Sequence, residues 1–211
     1  VLYSESKKIF LKQKSAIFLG GDHSITYPIF QAFKTKYKNP FLVIFDAHPD
    51  LMPHSPEPTH EEFLEAIITK GLNPQKIILI GTRKIEPEEQ HLLNKYKIKT
   101  YKNMPNIKKI LPIIKNHDLY VSIDIDAIDP NFAPAVNYPE QNGLNEKTFL
   151  NFLKQLLKQN PKAIDITETV PAKDQGNKTL ILITKIINTI NAQDSSSKHK
   201  PPIPISPISA Y

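Results

Sequence analysis

The sequence contains no cysteine. That excludes disulfides, thiolate metal sites and cysteine nucleophiles. Glycine is scarce, with six in 211 residues, and no phosphate-loop or dinucleotide-binding pattern is present. Arginine is nearly missing: Arg83 is the only one among 27 basic residues. The formal charge of +6 therefore rests on lysines spread along the chain. This reads as a solvated surface and not as a nucleic-acid face, since the bidentate arginine suited to guanine is almost absent. No apolar run reaches the roughly 20 residues that a membrane-spanning helix needs, so no membrane partner is expected. Residues 1–14 are too polar for a secretory signal, which, with the lack of disulfides, points to the cytoplasm. The chain opens on Val1, which fits a processed or incomplete protein.

What the sequence does have is an alternation of short apolar runs with longer amphipathic stretches. The runs are AIFL (16–19), FLVIF (41–45), KIILI (76–80), DLYVSI (118–123) and AIDIT (163–167), with KIKTY (97–101) a weaker member. Their length and β-branched content predict buried strands. Helix-like segments fall near 25–37, 61–70, 86–96, 106–115, 146–158 and 177–191. Strands alternating with helices imply an α/β fold with three α/β/α layers and a mainly parallel sheet. Residues 1–190 read as one domain. Residues 191–211 hold four of the nineteen prolines, at 201, 202, 204 and 207, and read as an extended or disordered tail. Such a tail could serve as an arm onto a neighbouring subunit.

Three polar clusters directly follow three of the predicted strands. Gly20-Gly21-Asp22-His23-Ser24 follows AIFL, Asp46-Ala47-His48-Pro49-Asp50 follows FLVIF, and DLYVSI runs into Asp124-Ile125-Asp126 and then Asp129-Pro130. In an open parallel sheet, sites form outside the carboxyl ends of strands, so the clusters should converge. Asp46, His48 and Asp50 are two residues apart, as are Asp124 and Asp126. In extended backbone such residues point the same way. Uncompensated carboxylates gathered at the end of a buried sheet repel one another and pay for desolvation, which a multivalent cation relieves. Four Asp and two His suit Mn²⁺, and less exclusively Zn²⁺, Fe²⁺ or Ni²⁺. Six ligands exceed the need of one cation with open positions, so a dinuclear centre is expected. Taken alone, GDHS also reads as a strand-end turn with Ser24 capping the next helix.

GGDHS, DAHPD and SIDIDAIDP, in this order, resemble the signatures of the arginase/agmatinase (ureohydrolase) family. Asp165-Ile166-Thr167-Glu168-Thr169-Val170-Pro171 with Asp174 looks like a fourth family motif, and Gly81-Thr82-Arg83 and the stretch from Pro134 to Leu144 look like further family segments. The resemblance covers roughly residues 16–190. It implies that His23, Asp46, Asp50 and Asp124 hold one Mn²⁺ and that His48, Asp46, Asp124 and Asp126 hold the other, with Asp46 and Asp124 bridging. It further implies that Glu168 pairs with a substrate guanidinium and that Asp50 shuttles a proton to the departing amine. A catalytic His outside the metal ligands is expected on the loop after DAHPD. That loop offers His54 and His60, and Thr59-His60 looks more like the family position. The implied reaction is hydrolysis of a guanidino C–N bond to urea and an amine, with agmatine to putrescine favoured. Arginase or formimidoylglutamase chemistry and a non-catalytic metal-binding paralogue are the alternatives. A trimer or hexamer is the implied assembly.

The sequence departs from the family pattern in two places. The family sheet has eight strands in the order 2-1-3-8-7-4-5-6, and only some fifteen residues here precede the GGDHS strand. The first two family strands are therefore expected to be lacking, which leaves the GGDHS strand at an edge unless residues 1–15 or the proline tail of a neighbour cover it. The loop after DAHPD is short and proline-rich and lacks the Ser/Asn pattern with which arginases grip an α-amino acid. In PAVNYPEQNGL, Asn137 and Tyr138 could narrow the pocket.

Overall fold

The computed structural model describes residues 1–53, 55–195 and 205–207. The elements in chain order are α1 (Leu2–Lys12), β1 (Ala16–Leu19), α2 (Thr26–Lys36), β2 (Pro40–Phe45), α3 (Phe63–Thr69), β3 (Ile77–Ile80), α4 (Pro87–Tyr96), β4 (Lys99–Tyr101), α5 (Ile107–Ile114), β5 (Asp118–Asp124), α6 (Glu146–Leu157), β6 (Ala163–Thr167), α7 (Lys178–Ser195) and β7 (Ile205–Pro207). The strands form one sheet in the order β4-β3-β2-β5-β6-β1-β7, and every pairing is parallel. Read from the other edge, β1-β6-β5-β2-β3-β4 follows the segment 3-8-7-4-5-6 of the order that the resemblance implies.

Each strand buries both faces, which explains its nearly unbroken apolar sequence. On β2, Phe41, Val43 and Phe45 pack with α5, α6 and α7 on one side of the sheet. Leu42 and Ile44 alternate to the opposite side, where α1, α2, α3 and α4 lie. The result is the three-layer α/β/α arrangement. Helix starts are set by local chemistry. Asn145 Oδ1 accepts hydrogen bonds from the backbone N–H groups of Lys147 and Thr148 at the head of α6. Glu86 and Glu89 form a reciprocal capping box around Pro87 at the head of α4.

Two elements differ from the sequence reading. Residues 1–15 contain a helix, α1, whose Phe10 packs edge-on against Phe18 and Phe33. Lys36 Nζ donates to the carbonyls of Phe10 and Gln13 and so satisfies the end of that helix. The segment assigned to a tail from residue 191 is helical as far as Ser195, because α7 continues through it. Beyond it, Ile205–Pro207 pairs with Ile17, Phe18 and Leu19 at the outer side of β1. A strand containing proline at an edge is permitted because no outer neighbour needs its N–H. The rest of the tail lies outside the described residues. Among the described residues no helix is long and apolar enough to cross a membrane.

Candidate metal centre

The direction in which strands are added to the sheet reverses between β2 and β5, although the two run parallel. From β2 the connections run outward through β3 to β4, and from β5 they run the other way to β6. Adjacent strands whose continuations diverge leave a crevice at their carboxyl ends. DAHPD leaves β2 there and the Asp124–Asp126 segment leaves β5. His23 arrives from β1 on a short 3₁₀ turn. Asp22 caps that turn by accepting from the Ser24 N–H at 3.0 Å and from the Ser24 hydroxyl. The cap is therefore Asp22, and the His23 ring is fully buried.

The carboxylates are oriented by backbone donors. Asp46 Oδ1 accepts from the His48 N–H at 2.7 Å, Asp124 Oδ1 from the Asp126 N–H at 2.8 Å, and Asp126 Oδ1 from the Ala47 N–H at 3.0 Å. Their other oxygens aim inward. Oδ2 of Asp46, Asp50 and Asp124 lie 3.0, 3.0 and 3.3 Å from His23 Nδ1. Asp126 Oδ2 lies 2.9 Å from His48 Nδ1, with Asp46 Oδ1 at 3.7 Å. Two ligand-like groups result, His23–Asp46–Asp124 and Asp46–His48–Asp126, each with its candidate ligand atoms within 4.8 Å of one another. Asp46 belongs to both. Asp124 joins the first group only, and Asp50 reaches His23 without completing either group.

The electrostatics are those of a cluster short of positive charge. Burial acts upward on Asp46, yet His23 and His48 draw its pKa down to about 2. Burial and the Asp46 charge push Asp50 well above the ordinary carboxylate range, and burial with the charges of Asp126 and Asp46 does the same to Asp124. Asp126 is raised by burial and by Asp46. Burial alone would lower both imidazoles. Asp124, Asp46 and Asp50 overcome it at His23, which is held well above its usual value. Asp126 and Asp46 overcome it at His48, pushing it up to about 11. In the bare chain the imidazole protons thus do the work of cations.

A divalent ion fits this donor set. His23 Nδ1 and Asp46 Oδ2 are buried and 3.0 Å apart, yet among the described residues neither makes a hydrogen bond of good geometry. Buried polar atoms are almost always paired, so two facing orphans indicate a missing electrophile. Carboxylate oxygens with imidazole suit a hard or borderline divalent ion.

Glu168 lies at the end of β6 with φ +62°, and Asp50 has φ +50°. Both occupy the left-handed region that non-glycine residues adopt at a cost, as functional sites often require. Glu168 Oε1 accepts from the His23 backbone N–H at 2.8 Å, and burial raises its pKa. Glu168, His60, His48, Asp50, Asp124, Asp126 and Tyr138 line one recess. It continues into an open cleft of about 230 Å³ that adds Met52, Glu61, Lys84, Glu86, Glu89 and Glu140. His60 sits just before α3, half-buried, with its ring nearly parallel to Tyr138. His54 lies outside the described residues.

Sequence reasoning missed the glutamates of this mouth. Glu140 Oε1 comes within 3.9 Å of His48 Nε2. Its loop is clamped by Arg83, whose guanidinium donates to the carbonyls of Gly81, Asp126, Ala127, Glu140 and Gln141. The isolated arginine in GTR was the available signal. Nothing in the residue pattern around Glu140 gave one.

The model of the arginase family matches residues 1–192. The chain belongs to the arginase family. It is 31% identical over 205 residues to a mitochondrial arginase of Medicago truncatula, covering 91% of this chain and 60% of that protein. It is 31% identical over 190 residues to an agmatinase of Halalkalibacterium halodurans, covering 85% of this chain and 64% of that protein. The chain thus spans less than two thirds of either relative. In fold it resembles the formimidoylglutamase of Bacillus subtilis, with a TM-score of 0.84 at 20% identity over 94% of this chain and 67% of that one. An arginase, an agmatinase and a formimidoylglutamase all stand among these similar proteins, so their names alone do not select one substrate.

Proposed function

We propose that this chain carries the active site of a dinuclear manganese amidinohydrolase, which cleaves a guanidino C–N bond to give urea and an amine, with agmatine the favoured substrate. The observation that supports it most is the pair of His/Asp groups sharing Asp46, with the Glu168 carboxylate facing the same recess. In this reading His23, Asp46, Asp50 and Asp124 hold one ion, and His48, Asp46, Asp124 and Asp126 hold the other. When bound, such a pair lowers the pKa of water so that hydroxide is available near neutral pH.

The protein groups do the rest. Glu168 pairs with the guanidinium and places its central carbon over the cluster. The His23 N–H keeps that carboxylate from turning away. Positioning of this kind removes much of the entropic barrier. Asp50 takes a proton from the attacking water and delivers it to the departing nitrogen. The water oxygen becomes the urea oxygen and the C–N bond breaks. His60 contacts the substrate from the cleft wall. Glu61, Glu86 and Glu140 line the mouth, and its one lysine, Lys84, is paired with Glu86 at 2.8 Å. This acidic mouth repels the α-carboxylate of arginine and accepts the terminal ammonium of agmatine, which favours agmatine over arginine.

Purified full-length chain with Mn²⁺, assayed for urea release from agmatine and arginine and for formamide release from formimidoylglutamate, tests the reading. Agmatine should turn over fastest. Metal uptake without turnover of any of these compounds would overturn the enzymatic reading.

A further inference from the structure

One fully buried carboxylate, Asp165, has no role in the chemistry above. It lies on β6 beside its register partner Ser122 on β5. Asp165 Oδ1 accepts from the Ser122 hydroxyl at 2.5 Å, and Oδ2 accepts from the Tyr120 hydroxyl at 2.5 Å and the Thr26 hydroxyl at 2.9 Å. Ser122 Oγ in turn lies 2.8 Å from His23 Nε2. All five residues are buried. A buried carboxylate with no cation in contact is costly, and three hydroxyl donors offset only part of that cost. Packing α2 onto the sheet would not need it.

The proton count gives the arrangement a direction. An ionised carboxylate only accepts, and each hydroxyl has one proton to give. Ser122 spends its proton on Asp165, so its oxygen can only accept from His23. With Asp165 ionised and accepting from all three hydroxyls, Nε2 carries the hydrogen, which leaves Nδ1 as the bare nitrogen once a metal displaces its proton. Nδ1 is the atom that faces Asp46, Asp50 and Asp124. Among the described residues His48 has no such support: beyond its ring lies Glu140, at 3.9 Å, on the side open to the cleft.

We propose that Asp165, acting through Ser122, is a positioning residue that fixes the tautomer and aim of His23 as a metal ligand. The inference rests on the metal-centre reading above and concerns one of its two positions. Hydrogen-bond partners behind a ligating His typically govern metal affinity by about 10–100-fold.

The test is an equilibrium Mn²⁺ titration of the full-length chain, with ¹⁵N spectra of the Zn²⁺-loaded protein to locate the His23 proton. Ser122→Ala should weaken one of the two ions by about 10–100-fold and leave the other unchanged. Ser122→Thr, which keeps the hydroxyl, should restore the lost affinity. Asp165→Asn should weaken the same ion although Ser122 is intact, because its amide can donate to Ser122 and reverse the chain of protons. If Asp165→Asn fails to fold, Ser122→Ala decides, since it removes a single oxygen. Wild-type affinity at both positions in Ser122→Ala, or a proton on Nδ1 of the loaded wild type, overturns the proposal alone. A wild-type chain that takes up no divalent ion overturns it together with the metal-centre reading.

Discussion

Asp46 uses its two oxygens differently. Oδ2 faces His23, while Oδ1 holds the His48 N–H and lies near the His48 ring. The two imidazoles carry raised pKa values, and this fixes how the metal-free chain responds to pH. His48 is held at about 11 against an ordinary 6.5. A group raised on folding contributes stability that is complete below its unfolded value and is lost as pH climbs to the folded one. The elevated Asp50 and Asp124 act in the same sense, since the folded state holds their protons longer. With chelator present, stability should therefore fall as pH rises, through Asp50 and Asp124 from their ordinary 3.8 upward and through His48 from 6.5 upward, measured as the urea midpoint. Added Mn²⁺ should flatten the decline by replacing the imidazole protons. A metal-free midpoint that rises across this range would contradict the assignment.

Among the elements, the strands were the most legible. AIFL and AIDIT coincide with β1 and β6 because both faces of those strands are buried and their apolar runs end where the polar clusters begin. The convergence of those clusters followed from their place at strand ends. Helix α1 escaped notice for the opposite reason: it buries only Ser6 and Phe10 and presents lysines and glutamate elsewhere, so its pattern is faint. The glutamates of the cleft mouth were illegible because their convergence depends on loops that Arg83 and Gly143 hold in place. A Cβ on Gly143 would stand 2.5–2.7 Å from the backbone of Ile128 and Asp129, and the Gly143 N–H donates to Asp129 Oδ2 at 3.0 Å. Gly143→Ala should cost about 1–3 kcal/mol, as overpacking against unyielding backbone does. Thermal denaturation checks this, and an unchanged midpoint would show that the loop yields freely.

At the scale of the whole molecule, the sheet keeps the family order from β1 to β4, and β7 lies along the edge that would otherwise follow β1. An uncovered apolar edge invites pairing with other chains, and a proline-bearing strand blunts it. The sequence reading offered residues 1–15 or a neighbour's tail as cover for this edge, whereas this chain's own residues 205–207 pair with β1. A lysine-covered exterior with net charge +6 thus encloses an acidic crevice at the sheet's reversal point. In the proposed reading that crevice holds two ions that share the Asp46 carboxylate. The direct measurement is the number of Mn²⁺ ions bound per chain, in the wild type and in Asp46→Ala. Two are expected in the wild type and none held tightly in the variant. A single ion in the wild type, or two retained without Asp46, would contradict this reading.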